Sequence, residues 1–421
     1  MSDVIQRNGV AKLLDLQEVF RIVIVGGARQ TGKTTLVREF LTGDARTHYS
    51  FDDEATRQRA INDPTGFVDA LRVGSSIDEY QRAGEPFLLA VKQRVDLHRG
   101  AGQLILTGSA SYAGSRSTVE TLAGRAGRIA LWPLSQGERR AVRETFLDRL
   151  FTPDDWPLRV DEPLSRDDVM QLVLEGGFPE VVTRRLPARS RRIWFRSYVG
   201  DVVSREALRP IGDVRMEREL ARLLRLVAAR SAQELVIADL ARDAELARET
   251  TSSYLGLLEA LYLVHPLPAW ATSATTRAKR RAKIHLLDTG LTADLVGVSE
   301  RDLSAASSGQ AAGPLLESFV VGELQKQATW SDHDVSLSHF RDRNGAEIDV
   351  IVEDRDSGRI AGVEVKASAS LSRRDTRHLA SIRDRLRDRF SVGVVIYTGR
   401  VVLPLGERLW ALPVSALWSS G

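Results

Sequence analysis

Cysteine is absent from the 421-residue chain. That excludes a disulfide scaffold, a zinc–cysteine site and a thiol nucleophile, and it fits a reducing compartment. No stretch approaches the roughly 18 apolar residues that a membrane helix needs. Residues 1–14 lack the apolar core of a signal peptide. The expectation is a cytoplasmic protein with no membrane partner. A strong net charge is also missing: 59 basic against 56 acidic side chains leave +3, too little to demand a nucleic acid. Lysine is scarce. Seven lysines stand against fifty-two arginines, a skew that makes each lysine worth locating.

What is present is a globular composition, 43% hydrophobic and 27% charged, in a chain long enough for several domains. The first third alternates strands and helices, as in a parallel α/β sheet. Ile22-Val23-Ile24-Val25 is wholly apolar, which suits a buried parallel strand. Residues 34–41 read as a helix, 87–96 as an amphipathic helix and 103–107 as a strand. Residues 165–208 are helical in pattern, and the arginines between Arg184 and Arg196 read as a solvated face. Three further helical patterns follow at 217–230, 237–243 and 248–261. After them come an apolar stretch at 263–270, a basic loop at 271–283 and a strand at 284–287. Three helices with a two-stranded wing predict a winged helix-turn-helix. Beyond a small-residue linker at 303–313, the order reads α-β-β-α-β, with strands at 347–353, 360–366 and 392–397.

Gly27-Ala28-Arg29-Gln30-Thr31-Gly32-Lys33-Thr34 has the phosphate-loop form G-x-x-x-x-G-K-[ST]. Its glycines let successive backbone N–H groups face phosphate oxygens. Lys33 adds charge at the β- and γ-phosphates, and Thr34, followed by Thr35, offers a hydroxyl to Mg²⁺. The helix that opens here points its positive dipole end at the same anion. ATP and Mg²⁺ are the predicted cofactors. Hydrolysis also needs a carboxylate for the metal and a base for water. Asp78 and Glu79 take those roles, although Gly74, Ser75 and Ser76 interrupt the aliphatic run expected before them. Thr107, at the end of the next strand, is a candidate sensor of the γ-phosphate. Arg125 and Arg128 are candidate arginine fingers, with Arg125 placed in the nucleotide set.

Several motifs now form a recognisable series. They are Asp78-Glu79-Tyr80-Gln81-Arg82, Leu106-Thr107-Gly108-Ser109-Ala110, Leu122-Ala123-Gly124-Arg125 and Trp132-Pro133-Leu134-Ser135. Gly176-Gly177-Phe178-Pro179-Glu180, Leu287-Asp288-Thr289-Gly290-Leu291 and Glu364-Val365-Lys366 continue it. Together they resemble the prokaryotic AAA+ ATPases that carry a C-terminal domain of unknown function, over nearly the whole chain. The resemblance implies an AAA+ core at 1–140, a helical lid or connector at 141–213, a winged helix at 214–295 and a C-terminal part at 314–421 similar to the PD-(D/E)XK nuclease fold. The polar residues before Asp78 depart from the family pattern.

The C-terminal part makes an argument of its own. Residues two apart on a strand share a face, so Glu364 and Lys366 point together. Asp349, on the preceding strand, comes close to them if the two strands pair. Asp349 and Glu364 are candidate ligands for Mg²⁺. Lys366 is a candidate to orient or deprotonate the attacking water. Glu317, on the helix before, is a candidate outer ligand. Arg277, Lys279, Arg280, Arg281 and Lys283 crowd the predicted wing and suit DNA phosphates. The combined expectation is an ATP-driven, DNA-associated protein, possible as a homo-oligomer. Its C-terminal part either cuts DNA or serves a switch that has lost cleavage. A protein-remodelling ATPase that touches no nucleic acid is the rival.

Overall fold

The computed structural model describes residues 4–41, 47–109, 121–152, 156–160, 163–203, 214–304, 310–343 and 345–419. They fall into two compact units. One comprises Arg7–Pro133 with Gly256–Leu263, and the other Met1–Gln6, Leu134–Leu255 and Val264–Gly421. Among the described residues no helix is long and apolar enough to cross a membrane.

The Arg7–Pro133 unit is built on five parallel strands: β1 (Ile22–Gly26), β2 (His48–Ser50), β3 (Ser75–Asp78), β4 (Leu104–Thr107) and β5 (Ala126–Ala130). Their spatial order is β2-β3-β4-β1-β5. All five residues of β1 are buried, because helices cover both faces of the sheet. Val23 and Val25 pack with Leu13, Leu36 and Leu131 on one side. Ile22 and Ile24 pack with Phe87, Val91 and Leu106 on the other. Each such side chain contributes about 1.5–3 kcal/mol of burial. Phe51 and Phe87 meet edge-on at 5.1 Å in that second layer. The helix expected over 34–41 is regular only through Lys33–Leu36 and widens into a π-type turn over Val37–Leu41.

In the other unit, the helices Val214–Ala229 and Ile237–Ala244 and the first turns of Arg248–Ala260 accompany three antiparallel strands. These are β6 (Gln233–Glu234), β7 (Val264–Leu267) and β8 (Lys283–Leu286), ordered β6-β8-β7. The sequence suggested two strands and a plain loop. The structure has three strands, and a short helix, Ala274–Lys279, inside the basic segment.

The larger sheet of this unit has six strands: β9 (Val335–Arg341), β10 (Glu347–Asp354), β11 (Ile360–Lys366), β12 (Phe390–Tyr397), β13 (Leu403–Gly406) and β14 (Leu409–Pro413). Their order is β13-β14-β12-β11-β10-β9. β10 and β11 are antiparallel, with Val350 opposite Val363, and β11 and β12 are parallel. The helix Ala312–Gln327 covers one face, where Leu316, Val320 and Leu324 meet Val350, Val352 and Val363. The helix Arg377–Leu386 covers the other, where Leu379 and Ile382 meet Ile348, Ile351 and Val395. The expected α-β-β-α-β order therefore lacks three strands: β13 and β14 after β12, and β9 before β10. In β9 two serines and a histidine leave few apolar residues, so it reads as a polar loop in the sequence.

β9 also decides where the basic segment lies. Trp270 donates its N–H to the His339 carbonyl (2.6 Å), and His339 donates back to Pro268 (2.9 Å). The stretch after β7 thus runs along the edge of the six-stranded sheet and covers it, a common means of protecting an edge strand.

Candidate functional site

Gly32 takes φ +94° and Gly27 φ +146°, conformations open to glycine, as the loop after β1 turns into its helix. A Cβ on Gly27 would lie 2.3 Å from the Leu131 carbonyl oxygen. The Lys33 ammonium is buried and donates to the carbonyls of Gly27 (2.8 Å) and Ala28 (2.7 Å). Thr31 Oγ1 donates to Ala28 O at 2.9 Å. Thr35 is exposed on the first turn. Arg7 was not foreseen. It is buried and donates to the carbonyls of Thr31 (2.8 Å) and Trp132 (2.6 Å), tying the loop to the chain beyond β5. Tyr262 was also missed. Its hydroxyl comes so near Gly26 that a Cβ there would meet it at 2.1 Å. Neither residue lies near the loop in sequence, so no local pattern marks it.

β4 lies between β1 and β3, which brings Thr107 and Asp78 to the same sheet edge as the loop. Thr34 Oγ1 donates to Asp78 Oδ2 at 2.5 Å. Thr107 donates to Asp78 Oδ1, which also accepts the Glu79 N–H at 3.0 Å. Glu79 is left-handed, with φ +54°, and its Oε2 accepts from Gln81 (2.6 Å) and Ser109 (3.4 Å). A non-glycine residue held there carries a backbone cost of about 1–3 kcal/mol. The polar start of this strand has an explanation. β3 begins only at Ser75, Val73 is exposed, and Ser76 Oγ bonds His48 Nδ1 (2.9 Å) across to β2.

Arg125 does not belong to this site. It precedes Ala126, which is in register with Ile22 at the start of β1, whereas the phosphate loop follows the end of β1. A strand of that length separates the two edges by roughly 13 Å. Its guanidinium instead grips both oxygens of Asp96, at 2.6 and 2.8 Å. Arg128, one turn of the pleat further along, is exposed on β5.

In the second unit Asp349, Glu364 and Lys366 do come together. Asp349 Oδ2 accepts the Val365 N–H at 2.8 Å, and Lys366 Nζ donates to Glu364 Oε1 at 2.7 Å. A further cation sits at the centre. Lys283, only 2% exposed, places its ammonium 2.6 Å from Glu317, 2.7 Å from Glu347 and 3.3 Å from Asp349. Burial alone would lower its pKa, but the Asp349 and Glu317 charges outweigh burial and raise it. Glu317 and Glu364 are each pushed up to about 8, first by burial and then by the Asp349 charge. Glu364 Oε2 is buried and, among the described residues, meets no hydrogen-bond partner. Among the described residues, no group of three or more His, Asp or Glu is arranged to hold a metal ion.

The expected wing contacts change accordingly. Lys283 is not available to a DNA phosphate, because burial and three carboxylates hold it inside. Arg277 is paired with Glu353 at 2.8 Å and lies over the Trp270 ring. Arg280 donates to the Arg341 carbonyl (2.5 Å), and Arg281 is exposed. The side chain of Lys279 lies outside the described residues, as does Ala110 of the strand-end motif.

Three motifs shared with the AAA+ resemblance prove to meet one another. Asp288 Oδ2 accepts the Gly177 N–H (2.6 Å), and Leu134 donates to Gly177 O (2.7 Å). A Cβ on Gly176 would lie 2.2 Å from Asp288 Oδ1. Nearby, the N–H groups of Gln136 and Gly137 bond Glu323 (2.8 Å) and Glu144 (2.6 Å). These residues build the unit's interior. Burial, then the Glu323 charge, pushes Glu144 up to about 7. A raised carboxyl binds its proton more tightly folded than unfolded. Its contribution to stability is full below the unfolded value of 4.5 and is lost as pH rises through 7–8 for Glu144, Glu317 and Glu364. The melting temperature should accordingly fall between pH 5 and 8, and Glu144→Gln should flatten that fall. An unchanged slope would remove Glu144 from the account.

Comparison with known proteins adds the family context. Residues 19–139 match the model of an AAA domain. The match supports an AAA-type ATPase. Residues 166–302 and 312–417 match two domains of unknown function, DUF8612 and DUF4143. Uncharacterized proteins of Mycobacterium bovis and Mycobacterium tuberculosis are each 28% identical over 423 residues, covering 99% of this chain and 85% of theirs. Among solved structures, a Walker-type ATPase of Pyrococcus abyssi is similar over 70% of this chain and 96% of its own, at 16% identity and a TM-score of 0.44. The RuvB Holliday junction branch migration motor of Thermotoga maritima follows at 18% identity and a TM-score of 0.30, over 63% of this chain and 90% of its own.

Proposed function

We propose that this protein binds and hydrolyses ATP with Mg²⁺ and uses the cycle as a switch on a nucleic-acid-associated partner unit. The observation that carries the ATPase reading is the Thr34–Asp78–Thr107 arrangement beside the Lys33 loop. A hydroxyl and a carboxylate 2.5 Å apart supply the hard oxygen donors that suit Mg²⁺, which usually keeps waters and substrate phosphates as its other ligands. Held by Asp78 and Thr34, a Mg²⁺ ion would supply charge neutralisation at the nucleotide phosphates. Lys33 would leave its loop carbonyls for the phosphates, Asp78 and Thr34 would hold the ion, Glu79 would position water, and Thr107 would keep Asp78 aligned. In a nucleotide-binding titration, Lys33→Ala should lose ATP affinity while the protein stays folded. Unchanged affinity in Lys33→Ala would overturn the reading.

We read the helices and sheet of residues 214–295 as a winged helix, and residues 312–417 as an α/β unit of the PD-(D/E)XK type, with β9, β13 and β14 added to the strands of the sequence pattern. DNA association has support from a second basic surface. Arg192 and Arg196 of the helix Ala188–Asp201 are exposed, as expected of a solvated face. With Arg185, Arg191 and Arg301 they line an open cleft of about 1400 Å³, where arginines outnumber the acidic Glu175, Asp294 and Glu300. Side chains four apart on a helix, as Arg192 and Arg196 are, stand about 5–6 Å apart at Cβ. That spacing suits successive phosphates of a backbone. Mobility shifts should weaken steeply with salt, and Arg192→Glu with Arg196→Glu should weaken them more than Arg281→Glu. Absence of any shift at low salt would leave the ATPase without a nucleic-acid partner.

A further inference from the structure

We propose that Lys283 is the resident cation of the acidic cluster: its ammonium occupies the charge-balancing place of a divalent metal, so the C-terminal sheet takes up no Mg²⁺ or Mn²⁺ there and does not cut DNA. The consequence for cleavage rests on reading residues 312–417 as a PD-(D/E)XK-type unit; the metal exclusion does not.

An ammonium has three donors and no acceptor. Those of Lys283 face three carboxylates, at 2.6, 2.7 and 3.3 Å, from two elements of the fold: Glu317 on the helix Ala312–Gln327, and Glu347 and Asp349 on β10. Both Asp349 oxygens, and one oxygen each of Glu317 and Glu364, are already committed. Asp349 gives Oδ1 to Lys283 and Oδ2 to the Val365 N–H. Glu317 gives Oε1 to Lys283, and Glu364 gives Oε1 to Lys366. The partnerless Glu364 Oε2 is one donor, whereas Mg²⁺ asks for near-octahedral oxygens at about 2.0–2.1 Å. A divalent ion beside Asp349 would also face a fixed positive charge roughly 3 Å from the same carboxylate.

The backbone that carries Lys283 is fixed. β8 is the middle strand of its sheet, and Lys283 is in register with Glu234 on β6 and Leu267 on β7. The edge pairing of residues 268–270 with β9 holds the same segment against the larger sheet. The choice of residue fits as well. In a chain with seven lysines and fifty-two arginines, the compact ammonium stands where three carboxylates converge, a geometry that the planar guanidinium fork does not match.

The decisive measurement is Mn²⁺ binding by electron paramagnetic resonance on the full chain carrying Asp78→Ala, without nucleotide, so that the ATP site does not contribute. No submillimolar Mn²⁺ binding is expected, with or without Asp349→Asn. Adding Lys283→Met should create a site that Asp349→Asn removes again. Mn²⁺ bound by the Lys283-bearing protein and lost in Asp349→Asn would overturn the proposal. So would a folded Lys283→Met protein that still binds none. If Lys283→Met does not fold, the comparison with and without Asp349→Asn decides alone. In parallel, plasmid and linear DNA incubated with Mg²⁺ or Mn²⁺, with and without ATP, should stay intact. Cutting that disappears in Lys366→Ala would also overturn the proposal, whereas ATP turnover in the same preparation reports separately on the nucleotide reading.

Discussion

Glu79→Gln is expected to lower kcat for ATP hydrolysis by about 10²–10⁴-fold, the usual worth of a positioned general base, with nucleotide affinity little changed. The two adjacent carboxylates, proposed for different roles, also have different surroundings. Asp78 is buried, and its oxygens take bonds from Thr34, Thr107 and the Glu79 N–H, so its carboxylate is held in place for the ion-holding role proposed for it. Glu79 follows at the strand end, where the left-handed turn swings its carboxylate toward Gln81 and Ser109. Glutamine keeps its size and its hydrogen bonding to these neighbours but cannot take a proton from water. Steady-state turnover, measured beside equilibrium binding of a non-hydrolysable analogue, separates the two roles. Turnover equal to wild type would remove Glu79 as the base. Loss of binding together with turnover would move it into the nucleotide-holding set beside Asp78.

Lys283→Ala should destabilise its unit by about 3–5 kcal/mol, the usual cost of removing one partner from a buried ion cluster. That corresponds to a fall of roughly 10 °C in Tm. The substitution leaves Glu317, Glu347 and Asp349 facing one another with no cation among them. Protonation offers a partial escape, since Glu317 already holds its proton to about pH 8. The loss should therefore be smaller at pH 5 than at pH 8. Combining Lys283→Met with Glu317→Gln and Glu347→Gln should recover much of the stability, because apolar or neutral replacement of a whole buried cluster is often tolerated where removal of one member is not. Denaturant melts of the single and combined variants test this. A single variant as stable as wild type would mean that the cluster is solvated and the lysine dispensable.

The scarcity of lysine made each one worth locating. Lys33, Lys283, Lys326 and Lys366 all have buried or half-buried ammonium groups facing carboxylates or carbonyls. The sequence alone singles out Lys33 and Lys366, because each sits in a local pattern. Lys283 was read with its basic neighbours as a surface cluster. Nothing within seven residues of it reveals that β9 will pull that stretch across the sheet edge.

The same division runs through the whole protein. Local chemistry sufficed to mark the phosphate-loop motif, since its glycines, lysine and threonine lie within one turn, and the acidic pair that ends β3. The apolar run of β1 and the alternation on β10 and β11 sufficed for those strands and for bringing Asp349 to Glu364, because strand period and pairing are short-range rules. Other features depended on contacts between distant segments. Arg125 lies next to a glycine motif in sequence yet at the wrong edge of the sheet, because β5 runs parallel to β1 and starts where β1 starts. Arg7 reaches the phosphate loop from the other end of a helix, and Asp288 joins Gly177 across more than a hundred residues. Lys283 enters the acidic cluster only because two sheets meet at one edge. Residue type and spacing determined which groups were capable of chemistry, and tertiary packing decided which were free to perform it, because burial and a fixed partner commit a charge that sequence can only count.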